Sequence, residues 1–148
     1  MPQSLAKIYI HLIFSTKNRE HLLRKGDLSE LYRYIGGVLN DISCPVVIVG
    51  GTTDHTHILF ILNRTSTVAN VAEQVKRSSS KWLKVRWSYY NAFAWQGGYG
   101  AFSVSQSKVD TVRRYIEHQE EHHTKLSFKD ELRTFLHEYG VDYNEAYL

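Results

Sequence analysis

The order of the apolar runs limits the fold of this chain more than any other feature. Ala6 to Phe14 (AKIYIHLIF), Val46 to Val49 (VVIV), His55 to Leu62 (HTHILFIL) and Ala101 to Ser105 (AFSVS) have the length and the β-branched or aromatic content of strands. Between the first two, Leu28, Leu31, Tyr32, Ile35, Leu39 and Ile42 recur at helical spacing; between the last two, Val68, Val71, Ala72, Val75, Ser79, Trp82 and Leu83 do the same. Gly50-Gly51 and Thr52-Thr53-Asp54 part the middle runs at a turn and predict a hairpin. Strand, helix, strand, strand, helix, strand closes most simply into an antiparallel sheet with both helices on one face. This is the α+β, ferredoxin-like or RRM-like βαββαβ arrangement.

Asp27 with Glu30, and Ser107 with Asp110, have capping-box spacing and predict the starts of the first helix and of a third. The third should run to about His122 and cover part of the open face of the sheet. Phe128 to Tyr139 predicts a fourth helix, ended by Gly140. One domain spanning 1–148 is therefore expected, with a ferredoxin-like core over 1–106 and C-terminal helices over 107–148.

No run approaches the ~18–20 uninterrupted apolar residues of a membrane span, and the N-terminus lacks a basic, apolar, cleavable leader. A soluble, cytoplasmic chain with no membrane partner is expected. The lone Cys44 excludes an internal disulfide and a Cys-rich zinc site, so any metal has to be held by His, carboxylate, amide or water.

Charge is distributed unevenly. Residues 74–109 carry six basic and no acidic side chains, against seven and six before them and five and nine after them. Trp82, Trp87, Tyr89, Tyr90, Phe93, Trp95 and Tyr99 lie within this basic island. Cations that meet phosphates and rings that stack on bases make a nucleic-acid surface; a solvated helix face followed by an aromatic core segment has the same composition. Lys76, Arg77, Lys81 and Lys84 are the candidates for phosphate contacts.

His55 and His57 stand two apart in a strand, so both imidazoles leave the same face, close enough to share one ion. A pair supplies only two ligands, and hydrogen-bonded strand-end histidines are the simpler reading of an isolated His-x-His. On the third helix the apolar stripe Val109, Val112, Ile116 is interrupted by Gln119, one turn beyond Tyr115. The amide and the phenol would then lie on one side of the helix, either as a boundary amide and a core tyrosine or as parts of a site.

Asp54 to Leu59 (DHTHIL), Phe93 to Ser105 (FAWQGGYGAFSVS) and Arg113 to His123 (RRYIEHQEEHH) together resemble the single-tyrosine HUH transposases of bacterial insertion sequences. The likeness covers nearly the whole chain in the family's order. It implies metal-dependent cleavage and strand transfer of single-stranded DNA through a covalent phosphotyrosine, with Tyr115 matching the nucleophile, His55 and His57 the metal ligands and Gln119 the third ligand. It also implies a homodimer that recognises DNA hairpins at the element ends and can share active sites between subunits. The middle residue of the His motif, usually apolar in the family, is Thr56 here.

That chemistry is coherent. A phenol with a pKa near 10 is a poor nucleophile at neutral pH unless a cation makes phosphorus more electrophilic. Imidazole, amide and water ligands suit Mg²⁺ or Mn²⁺. A phosphotyrosine retains the energy of the phosphodiester, so no nucleotide cofactor is needed, in keeping with the absence of a phosphate-binding G-x-x-x-x-G-K-[ST] loop. His118, His122 and His123, among Glu117, Glu120 and Glu121, read as a solvated polar face. Three other readings compete: a noncatalytic nucleic-acid-binding module on the same sheet, a replication or mobilisation nuclease of HUH type, and a two-histidine phosphoesterase. The short chain disfavours the second, and His122-His123-Thr124, the sole His-x-Thr, disfavours the third.

Overall fold

The computed structural model describes residues 2–148. Its regular elements are β1 (Tyr9–Ser15), α1 (Leu28–Asp41), β2 (Val46–Gly51), β3 (His55–Ile61), α2 (Val68–Arg86), β4 (Gly100–Val104), α3 (Val109–Glu117), α4 (Gln119–His122) and α5 (Phe128–Glu138). The four strands form one antiparallel sheet in the order β2-β3-β1-β4, the ferredoxin-like arrangement expected from the order of the apolar runs. β1 begins at Tyr9 rather than Ala6, where pairing to Ile61 on one side and Val104 on the other begins.

Strand alternation divides the buried residues between two faces. Ile10, Leu12, Phe14, Ile58 and Phe60 join Leu31, Ile35 and Leu39 of α1 and Val71, Val75 and Leu83 of α2 in the larger core. On the opposite face, Tyr9, Leu59 and Val104 meet Ile116 of α3, and Ile13 and Phe102 meet Phe128 and Leu136 of α5. Both faces are thus covered, and all seven residues of β1 are buried. The sequence predicts only partial cover by α3; α4 and α5 extend it.

Contact between α3 and β2 depends on Gly50. A Cβ there would lie 2.6 Å from the Ile116 carbonyl oxygen and 2.8 Å from its Cγ2, so only glycine lets the α3 backbone come this close.

Local signals fail at three places. Asp27 does not cap α1; its carboxylate accepts from Arg24 Nε at 2.8 Å and from the Tyr90 hydroxyl at 2.5 Å. Ser107 does not cap α3, and Asp110 instead pairs with Arg113 at 2.9 Å. The predicted continuous helix to His122 is interrupted at His118 (φ −105°, ψ 27°), where α3 stops and α4 starts. The caps of α2 and α5 are regular: Thr67 accepts from the Asn70 N–H and Ser127 from the Asp130 N–H.

Candidate active site

The two sheet faces differ in chemistry as well as in cover. Along the face under α3–α5, β3 presents His55, His57 and Leu59, and β1 presents His11 and Ile13, with Ile13 registered against His57. Three histidines are thereby buried in an otherwise apolar layer, each at most 1% exposed.

Each ring is held from behind. His55 Nδ1 donates to Asp54 Oδ1 at 2.7 Å, and the Thr52 hydroxyl donates to the same oxygen at 2.8 Å. Burial would raise the Asp54 carboxyl, but the His55 and Thr52 hydrogen bonds outweigh it and keep the group below its usual range. His57 Nδ1 lies 2.8 Å from His11 Nε2, its partner on the neighbouring strand. Burial pushes His57 down to about 4 and lowers His11 as well, so both are neutral at neutral pH.

The front of each ring meets groups from the C-terminal helices. Gln119 is buried, its Oε1 2.9 Å from His55 Nε2 and its amide N–H donating to Glu131 Oε2 at 3.2 Å. His57 Nε2 donates to Glu131 Oε1 at 2.8 Å, and the half-buried Tyr115 hydroxyl donates to Glu131 Oε2. His123 Nε2 lies 3.2 Å from Glu131 Oε2 but makes no hydrogen bond in this arrangement. Burial raises the Tyr115 phenol, and the adjacent Glu131 charge raises it further, so the proton stays on the phenol. Burial alone would raise Glu131, but the nearby His123 and the hydrogen bonds from His57 and Tyr115 hold it far below the usual carboxylate range. His123 is pulled down by burial and raised on balance by Glu131.

The donor set fits a divalent cation. With its Nδ1 proton committed to Asp54, the Nδ1–H tautomer of His55 turns the Nε2 lone pair toward Gln119 Oε1, whose orientation is fixed because the amide nitrogen serves Glu131. Two electron-pair donors then face each other, an arrangement that a cation or a second proton satisfies. One ligand atom from each of His55, His57, His123 and Glu131 also lies within 4.8 Å of the others. Neighbouring ligands on an ion with bonds of about 2.1 Å stand roughly 3.0–3.4 Å apart, the scale of the spacings seen here.

The four residues singled out from sequence, His55, His57, Tyr115 and Gln119, are therefore neighbours in space. Two members of the cluster were not singled out. His123 belongs to the site rather than to a solvated face: its side chain is 10% exposed, whereas His118 is exposed. The break at His118 redirects the chain so that residues on both sides of it reach the same cluster. Glu131 stands in an acid-rich helix, but Phe128, Leu132 and Phe135 place it within an apolar stripe, the same kind of interruption that marked Gln119.

The basic island lies elsewhere. α2 covers the other face of the sheet, so its exposed stripe is separated from the histidines by the sheet. Lys81 and Lys84 are exposed, and Arg77 is exposed but paired with Glu73 at 3.0 Å. Lys76 is half-buried and donates to the carbonyls of Gln96 at 2.6 Å and Gly98 at 2.8 Å, which ties down the glycine loop; burial lowers its pKa. Most of the island's rings are core: Tyr90 and Phe93 are buried, and Trp95 packs edge-on against Phe14 and donates to Ser79 Oγ at 3.0 Å. Tyr89 and Tyr99 remain exposed.

Among the described residues, no helix is long and apolar enough to cross a membrane. No curated protein matches this chain. It is similar in fold to a crystal structure of a Deinococcus radiodurans protein described as a transposase, with a TM-score of 0.60 and 19% identity over 80% of this chain and 98% of that one. It is also similar to a REP-associated tyrosine transposase bound to a REP hairpin, with a TM-score of 0.52 and 11% identity over 80% of this chain and 68% of that one. The sequence model for IS200-like transposases matches residues 4–119, from before β1 to the buried glutamine. With that match across most of its length, the chain belongs to the IS200-like transposase family.

Proposed function

We propose that this transposase cuts and rejoins single-stranded DNA through a covalent phosphotyrosine at Tyr115, with a divalent cation, Mg²⁺ or Mn²⁺, held by His55, His57 and Gln119. One observation carries the reading: the phenol, both imidazoles and the amide converge on a single buried cluster although they come from β3, α3 and α4. When bound, the cation withdraws charge from the phosphoryl group and from the neighbouring carboxylate.

The chain's own groups do the rest. Asp54 fixes the tautomer of His55 and aims Nε2 into the cluster. His11 holds the His57 ring from the adjacent strand, and for His57 Nε2 to meet a cation the proton now donated to Glu131 has to move to Nδ1, with His11 Nε2 as its acceptor. Tyr115 is kept protonated until substrate arrives. In the transfer step its oxygen bonds to phosphorus, the bond from phosphorus to one deoxyribose oxygen breaks, and the phenol proton ends, net, on that departing oxygen. Rejoining reverses the exchange with another DNA end.

Domain and partner assignments follow the same reading. Residues 1–106 form the core and 107–148 the nucleophile-bearing helices. The hairpin bound by the REP-associated relative supports a folded DNA end as the partner here, and the family resemblance supports a homodimer. Lys81 and Lys84, with Arg77 beside them, are assigned to phosphates of the hairpin stem rather than of the scissile strand, because α2 lies on the far side of the sheet; Lys76, committed to the Gln96 and Gly98 carbonyls, serves the glycine loop instead. The test uses single-stranded oligonucleotides taken from the DNA flanking the coding region, with Mg²⁺ or Mn²⁺. Wild type should form a covalent protein–DNA adduct and Tyr115→Phe none. An adduct that survives the substitution removes Tyr115 as nucleophile. DNA binding that chelator leaves unchanged, with no adduct under any condition, would favour a noncatalytic binding module.

A further inference from the structure

Glu131 lies beyond residues 4–119, the part of the chain matched to the family, yet it makes more polar contacts in the cluster than any other residue. It is 2% exposed. A buried carboxylate is strongly disfavoured unless it is fully paired, so a fold that retains one has arranged partners for it. The partners divide between its two oxygens. Oε1 faces the imidazole pair, 2.8 Å from His57 Nε2 and 3.7 Å from His55 Nε2. Oε2 faces the C-terminal helices, accepting from the Tyr115 hydroxyl and from the Gln119 amide at 3.2 Å.

The helix that carries Glu131 is well anchored. Ser127 caps it, Phe128, Leu132 and Leu136 seat it against Ile13 and Phe102, and just beyond its end the Tyr139 hydroxyl donates to the Ser103 carbonyl at 3.0 Å. The carboxylate is therefore positioned by the core and not by a mobile arm.

We propose that Glu131 sets the nucleophile in register with the cation: Oε1 is a metal ligand beside His57 and His55, and Oε2 holds the Tyr115 phenol. This rests on reading the cluster as a metal centre. The ligand set then comprises two imidazoles, the Gln119 amide oxygen and a carboxylate, a harder and more negative site than the histidine pair and amide alone, and better suited to Mg²⁺ or Mn²⁺. Because one planar group carries both oxygens, the separation of a bound ion from the phenol would be set by a single side chain and would need no DNA to establish it.

The test uses the full chain without DNA. Isothermal titration should show Mn²⁺ binding to wild type, weaker by about tenfold to a hundredfold in Glu131→Gln and unchanged in Tyr115→Phe. With ¹³Cζ-labelled tyrosine, saturating Mn²⁺ should broaden the one resonance missing from Tyr115→Phe, and broaden it less in Glu131→Gln. Glu131→Asp, which keeps the charge on a shorter stem, should recover part of the Mn²⁺ affinity but not the full broadening; it also serves if Glu131→Gln does not fold. Mn²⁺ affinity in Glu131→Gln equal to wild type overturns the proposal while leaving the histidine centre standing. No Mn²⁺ binding by wild type overturns both.

Discussion

Burial of His57, and of His11 behind it, gives the metal-free protein a definite acid response. His57 is pushed down to about 4 and His11 is lowered by the same burial, against about 6.5 in an unfolded chain. From about pH 6.5 down to 4 the unfolded state therefore binds protons that the native state refuses, and stability falls as pH falls. His123, raised by Glu131, opposes this, but as one histidine against two. Thermal melts in EDTA should show Tm dropping by more than about 4 °C across that window, with a shallower slope in His11→Asn. A flat profile would mean that the two rings are not held neutral. At this scale the sequence was legible where spacing carries direction: His55 and His57 share a strand face, and Gln119 breaks a helical stripe. Asp54 and His11 were not legible as partners, because only pairing of β1 with β3 brings His11 to His57. Glu131 and His123 were hidden by their acidic and histidine-rich neighbours, which in sequence look like a solvated surface.

Elements were read well wherever burial and periodicity agree, and poorly where a side chain finds a remote partner. The strands and α1, α2 and α5 lie within a few residues of their predicted spans because each has an apolar stripe that one sheet face accepts. Asp27 was misread as a cap because Tyr90, which takes its carboxylate, is 63 positions away. The break between α3 and α4 has no signature such as proline or glycine. What fixes α3 on the sheet is the missing side chain at Gly50. Gly50→Ala should force the Ile116 backbone outward, costing about 1–3 kcal/mol and lowering Tm by roughly 3–10 °C. Tyr115 precedes Ile116, so adduct formation should fall by more than stability alone would explain. A variant with wild-type Tm and full activity would show that α3 can shift without loss.

For the molecule as a whole, the sheet separates two kinds of surface: a basic stripe on α2 and the titratable cluster under α3–α5. On the proposed function, the first meets DNA by charge and the second by chemistry, and the two should be separable. Lys81→Ala with Lys84→Ala should weaken hairpin binding and reduce the slope of log affinity against log salt by about 1–2, while Mn²⁺ binding stays at the wild-type value. An unchanged slope would remove α2 from the DNA interface. The βαββαβ order made the core legible from sequence, and with it the face that α1 and α2 cover. How fully the other face is roofed was not legible, since that depends on where three short helices dock after the sheet is complete.

The proton held between Tyr115 and Glu131 bears on how such a protein can be tolerated by its host. Nicking enzymes endanger the chromosome that encodes them, and a reactive oxygen left open to solvent would put every exposed strand at risk. Here the oxygen is stored in its inert form against a carboxylate of the same chain. On the proposed reading, the protonated phenol itself limits harm until a DNA end is bound.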